Sequence, residues 1–235
     1  MKTLSISLYN RPNYTKIVLD SLNKCFGIDE YSIFIHCEPS NNEVIELAKK
    51  FRPDQTKLII NSVKYGCNKN IYHCLKNGFD INNYHIHFED DTVPGKDCLR
   101  YFEWAGNEYE KDSNIFSVTS YSKFKNKEEL DTSKVLRNKW FTPWGWATWV
   151  DRWREIDEFL YSNLNSIDSW DLIIDKSLRK DRYEIYPLIA RTQNIGAELG
   201  TYCPNAEWHK DNQYNEFWIE SLTNYTTKFI EYENV

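Results

Sequence analysis

Glu89, Asp90 and Asp91 stand side by side at the end of a half-apolar run, Tyr84-His85-Ile86-His87-Phe88, and just ahead of Pro94-Gly95. Adjacent carboxylates repel one another, so the fold must set something positive against them. A divalent cation carrying a phosphorylated ligand suits that need, because hard cations favour carboxylate oxygens and Mg-type sites are often shared between one or two side chains and substrate phosphates. A solvated acidic turn is the competing account.

The elements that must hold this triplet are readable in order. Lys2 to Leu8 alternates Leu4, Ile6 and Leu8 with small polar residues, the period of a strand. Tyr9-Asn10-Arg11-Pro12 breaks it, and Thr15 to Cys25 carries Ile17, Val18, Leu19 and Leu22 at helical spacing. The unit repeats as a strand over Tyr31 to His36, a polar loop containing Glu38, a helix over Glu43 to Phe51 and a short strand over Leu58 to Asn61. Such alternation predicts an α/β fold with a mainly parallel sheet, and it brings Arg11 and Glu38 to one sheet edge, where open α/β sheets bind ligands. No glycine fingerprint follows any of these strands, which argues against a dinucleotide oxidoreductase.

Gly66-Cys67-Asn68-Lys69-Asn70 opens a helix through about Phe79, either meeting a phosphate or base at its N-terminus or simply capped by Asn. Ile86 to Glu89 reads as a strand, Leu99 to Tyr109 as an aromatic-rich helix, Ser113 to Ser120 as a strand and Lys123 to Lys139 as a long charged loop. Trp140 to Trp149 holds four tryptophans around Gly145, with Trp144 and Trp146 as flat walls and the glycine permitting close backbone approach to a ligand. An aromatic core strand is the simpler account for Trp146 and Trp149. A helix beginning near Asp168 would put that carboxylate at its N-terminal end, as an ordinary N-cap. Ile185 to Gly196 reads as strand and loop before a polar tail containing His209.

Composition narrows the partner. The 235 residues, 41% hydrophobic and 16% aromatic, suffice for a single domain over 1–235 with a sizeable core. A net charge of −6 and no basic run argue against nucleic acid and point to a small molecule. The six cysteines include no CxxC pair, so they read as reduced, buried thiols instead of a zinc cluster. With no signal peptide and no apolar run of about 18 residues, the expectation is a soluble cytoplasmic protein without a transmembrane segment.

Taken together, Asn10-Arg11-Pro12, Glu89-Asp90-Asp91, Pro143-Trp144-Gly145-Trp146, Asp168-Ser169-Trp170 and Pro187-Leu188-Ile189-Ala190-Arg191-Thr192 with Asn194-Ile195-Gly196 resemble, in order, the GT-A glycosyltransferases. The likeness is to the inverting group around animal N-acetylglucosaminyltransferase I and its bacterial family 2-like relatives, and it spans Ser5 to about His209. It implies a Rossmann-like half over 1–95 for the nucleotide donor and a half over 96–235 for catalysis and acceptor. The triplet then corresponds to the Asp-X-Asp element, with Asp91 as ligand of Mn2+ or Mg2+ and Glu89 and Asp90 on the donor side. Tyr9, Asn10, Arg11, Glu38, Lys69, Asn70, Trp144, Gly145 and Trp146 are the further donor-binding residues it implies. The base corresponds to Asp168, which precedes a tryptophan by two positions, with Asp171 as the alternative register. Where bacterial relatives carry Gly-Thr-His this chain has Gly200-Thr201-Tyr202, which leaves His209 as a substitute metal ligand.

The expected activity is therefore metal-dependent, inverting transfer of a sugar from a nucleotide-diphosphate donor, a UDP-sugar first, to a glycan or other hydroxyl acceptor. Two other readings fit the same fold: a carbohydrate-binding module without turnover, and a sugar-nucleotidyltransferase using the same triplet.

Overall fold

The computed structural model describes residues 2–123, 131–197, 205–214, 218–221 and 233–234. The chain opens as the alternation predicted: β1 (Lys2–Leu8), α1 (Pro12–Leu22), β2 (Tyr31–Cys37), α2 (Asn42–Lys50), β3 (Thr56–Ile60), α3 (Cys67–Phe79) and β4 (Tyr84–Glu89). It continues with β5 (Thr92–Pro94), α4 (Cys98–Glu108), β6 (Ile115–Thr119), β7 (Lys134–Asn138), β8 (Trp146–Trp149), α5 (Val150–Ser162), α6 (Trp170–Ile173), β9 (Tyr183–Pro187), β10 (Thr192–Asn194), α7 (Ala206–Asn212) and β11 (Glu233–Asn234). Helix α1 begins earlier than its apolar periodicity suggested, because Pro12 takes the first helical position, where a missing N–H costs nothing. Helix α2 starts where Asn41 accepts hydrogen bonds from the backbone N–H of Glu43 and Val44 at 2.9 and 3.3 Å.

Strands from both halves of the chain share one sheet, in the order β11-β7-β9-β6-β8-β4-β1-β2-β3, while β5 and β10 pair separately. Strands β4, β1, β2 and β3 run parallel, so their carboxyl ends lie along one edge. Strand β8 runs antiparallel to β4 with Trp146 opposite His87, which brings the segment before Trp146 to that same edge. The segment read as a charged loop contains β7, paired antiparallel with β9; residues 124–130 of it lie outside the described residues, as do Gly200, Thr201, Tyr202 and Cys203.

One face of the sheet packs Leu4, Ile6, Ile35 and Phe88 against Val18 and Leu22 of α1, Val44 of α2 and Phe102 of α4. On the other side Ile71 and Leu75 of α3, Trp153 and Ile156 of α5, Phe116 and Trp146 form a second cluster. The small polar face of β1 is buried beneath α3, where Ser5 meets two histidines of β4. The Ser5 hydroxyl lies 2.8 Å from His85 Nε2 and 2.9 Å from His87 Nδ1, and His85 Nδ1 lies 2.9 Å from Thr3 Oγ1. Burial disfavours the imidazolium, pushing His85 down to about 3 and His36 down to about 4.

A group held neutral in the fold stabilises it above its unfolded pKa and loses that contribution as pH falls toward the folded value. Glu184 trends the other way, since burial raises its carboxyl to about 8, so a variant comparison isolates the histidine. The stability gap between wild type and His85→Gln should narrow by about 1.4 kcal/mol per pH unit between pH 6 and 4 in urea titrations. A gap constant with pH would show that His85 is charged in the folded protein.

Candidate active site

A cavity of about 570 Å³ opens at the carboxyl ends of β1, β2 and β4, the place where this topology puts ligands. Tyr9 and Arg11 after β1, Glu38 after β2, Glu89-Asp90-Asp91 at the end of β4, and Asn70 on α3 all reach its wall. Trp144, Asn194, Gly196, Asp171 and Trp208 come from the later half of the chain.

Arg11 meets the acidic triplet. One terminal nitrogen pairs with Asp90 Oδ1, and the other lies 2.9 Å from Asp91 Oδ2, while the backbone N–H of Tyr9 reaches Asp90 Oδ2 at 3.3 Å. Burial works against the Arg11 charge, yet Asp91 and Asp90 outweigh it and hold the guanidinium above its already high range. For Glu89 the charge of Arg11 is outweighed. Burial first, and then the charges of Asp91, Asp171 and Asp90, lift its carboxyl well above the ordinary range.

Asp91 is set by the β5–β10 pair. Its backbone carbonyl accepts from Ile195 N at 2.8 Å, and a Cβ on Gly196 would stand 2.4 Å from Asp91 Oδ2, so only a hydrogen at that position leaves the carboxylate its place. Asn194 Oδ1 accepts from Gly196 N at 2.8 Å and lies 3.0 Å from His209 Nε2. His209 is buried on α7, engaged by Asn194, and lies outside the cavity lining. Burial lowers its pKa, and the charge of Asp91 opposes that shift. Beneath the pair, Arg191 donates from Nε to Asp97 at 3.2 Å with both side chains almost wholly buried, and its carbonyl accepts from Gly95 N at 2.8 Å.

Glu38 serves a loop. Its two oxygens accept from Tyr65 N at 3.1 and 2.9 Å and from Gly66 N at 2.8 Å, holding Gly66 at φ 80° and ψ 170°, a conformation only glycine adopts readily, ahead of α3. The start of α3 is therefore not capped by an asparagine side chain. Asn68 instead reaches across to the later half: its Oδ1 accepts from Trp170 N at 2.8 Å and its Nδ2 donates to the Asp168 carbonyl at 3.0 Å. Asn70 accepts from Asn61 at 2.8 Å, and Lys69 lies over the Tyr65 ring, away from the cavity wall.

That grip by Asn68 decides which carboxylate faces inward. Helix α6 begins at Trp170, two residues after the expected start, so Asp168 is not its N-cap. Its side chain is half-exposed and lies 3.5 Å from Lys176 Nζ, outside the cavity lining. Asp171, one residue into the helix, lines the cavity.

The tryptophan-rich segment divides. Pro143 and Trp144 line the cavity, whereas Trp146 is buried in the core, stacked on Trp170 at 5.7 Å and edge-on to Phe141 at 4.8 Å. Gly145, at φ 76°, faces protein and not a ligand: a Cβ there would stand 2.5 Å from Ser120 Oγ and 2.9 Å from Thr192 Cγ2. Asn10 is exposed and outside the lining. Cys67, read as a buried thiol, is open to the cavity although protein surrounds it, and burial followed by Glu89 raises its pKa. Cys67, Lys64, Trp208 and Gln213 also line the site, and no motif had singled them out for it.

The oxygen donors fit a hard divalent cation. Among the described residues no cluster of three His, Cys, Asp or Glu side chains encloses one, so the fit is to a shared site in which protein gives one or two oxygens and a ligand's phosphates give others. The Gly196 cradle keeps the Asp91 carboxylate available for that role.

A family model described as GNT-I family matches residues 63–204, more than half of the chain. The chain belongs to the GNT-I family. No curated protein sequence matches it. Among solved structures it is similar to S. aureus TarS, with a TM-score of 0.58 and 15% identity over 81% of this chain and 35% of that one. It is also similar to S. aureus TarS 1-349 in complex with UDP-GlcNAc, with a TM-score of 0.55 and 15% identity over 79% of this chain and 58% of that one. The chain thus spans between about a third and three fifths of these solved chains, and what it shares with them is the GT-A fold.

Two outcomes test this geometry. A crystal structure of Gly196→Ala should show the Asp91 carboxylate displaced and its Arg11 contact broken, and an unmoved carboxylate would mean that the backbone yields instead. Asp97→Ala should cost about 3–5 kcal/mol in urea denaturation, because it leaves the Arg191 charge buried without its ion pair.

Proposed function

We propose that this chain is a glycosyltransferase that moves a sugar, with inversion, from a nucleotide-diphosphate donor to a hydroxyl of a glycan or glycosylated acceptor. Residues 1–95 supply the donor side and 96–235 the catalytic and acceptor side. What carries the reading is the convergence, in one cavity, of Asp90 and Asp91 at the end of β4 with Asp171 on α6. A UDP-sugar is the donor proposed, as the nucleotide sugar held by the TarS fragment of the same fold.

Asp91 would hold Mn2+ or Mg2+, which when bound acts as a Lewis acid on the charge that grows on the departing diphosphate. Arg11 and Asp90 orient the donor from the β1 and β4 ends. Inversion requires a base on the face opposite the leaving group, and Asp171, which lines the cavity from the far half of the chain, is the carboxylate proposed for it. Asp171 takes the acceptor hydroxyl proton as oxygen attacks the anomeric carbon, the bond to phosphate breaks, and the nucleoside diphosphate leaves with the electron pair. Asp168, turned toward Lys176, is not assigned this role.

Calorimetry with a panel of nucleotides is expected to show UDP binding that strengthens with Mn2+ and loses that gain in Asp91→Ala. Binding indifferent to both metal and Asp91 would refute the site. With a competent acceptor, Asp171→Asn should lower kcat by about 10²–10⁴ while UDP affinity holds, and Asp168→Asn should remain close to wild type. The reverse pattern would move the base to Asp168.

A further inference from the structure

Arg11 stands in an unfavourable place for a cation. It is the N-cap residue of α1, where the helix dipole disfavours positive charge, and its side chain makes no capping bond. Its guanidinium instead spans Asp90 and Asp91, with the Tyr14 ring 5.5 Å away. The Arg11 and Asp91 side chains are only 13% and 14% exposed, so solvent screens this contact weakly. The Asp91 oxygen that Arg11 contacts at 2.9 Å, Oδ2, is also the one backed by Gly196. A divalent cation bound to that oxygen, at about 2.0–2.2 Å as such ions require, would stand within a few ångströms of the guanidinium, like charge against like charge.

We propose that Arg11 is a resident cation that competes with the divalent metal for Asp91, so that metal binds well only together with a nucleoside diphosphate. The inference rests on the metal-nucleotide reading of this cavity. The phosphates supply the negative charge that lets both cations remain, Arg11 keeping Asp90 while Asp91 turns to the metal. Binding free energies are reciprocal, so whatever nucleotide does for metal, metal does for nucleotide. Arg11 is a positioning residue in this scheme, and its removal should separate the two ligands.

Mn2+ binding, read from the electron paramagnetic resonance signal of the free ion with and without saturating UDP, tests this without turnover. Wild type should bind Mn2+ at least tenfold more weakly alone than with UDP. Arg11→Met should bind Mn2+ alone at least tenfold more tightly than wild type, with a smaller further gain from UDP, and adding Asp91→Ala should abolish that improvement. Arg11→Lys, whose single ammonium cannot span both carboxylates, should fall between and serves if Arg11→Met does not fold. A folded Arg11 variant that binds Mn2+ alone no better than wild type would overturn the proposal while leaving the metal-nucleotide site intact. Failure of wild type to bind Mn2+ even with UDP would overturn both.

Discussion

The mutual repulsion of Glu89, Asp90 and Asp91, and its partial relief by Arg11, is the constraint on which the rest of the structure depends. Carboxylates gathered away from bulk water raise one another's protonation energy unless a cation or donor faces them. The parallel strands answer this by topology. Because β1 and β4 are adjacent and parallel, the residue three beyond the end of β1 arrives beside the triplet at the end of β4. The cavity is the place where that charge imbalance remains open to a ligand.

Around this centre, connections between distant segments fix the walls. The buried Arg191–Asp97 pair ties the residue before β10 to the turn after β5, and so holds Asn194 and Gly196 against Asp91. Buried ion pairs of this kind are seldom a net gain in stability, but removing one partner is costly, which makes the register of the two short strands hard to alter. Asn68 performs a similar task on the opposite wall, where one carboxamide on α3 both accepts from and donates to the backbone around α6. The inward carboxylate of the later half is thus set by a residue from the first half.

The aromatic richness of the chain has mostly a structural meaning. Trp146, Trp170 and Phe141 pack on one another in the core, while Trp144 and Trp208 remain at the cavity. Rings bury large apolar areas in either role, so their abundance alone does not separate core from binding wall.

Periodicity by itself determined the alternating strands and helices of the first half, because the spacing of apolar side chains differs between a strand and a helix, and the acidic triplet announced its need for a counter-charge through local repulsion alone. Order and spacing of motifs likewise led to the glycosyltransferase family. Tertiary structure decided the rest. Whether Asp168 or Asp171 faces the cavity turns on where α6 begins, which Asn68 sets from a hundred residues away. Arg11, expected to bind the donor, sits on Asp90 and Asp91, and Gly145, expected to face a ligand, faces Ser120 and Thr192. Among the described cysteines Cys67 alone opens onto the cavity, and nothing in its sequence neighbourhood marks it out. Each of these depends on contacts between segments far apart in the chain, and local spacing carries no record of which distant partner will arrive.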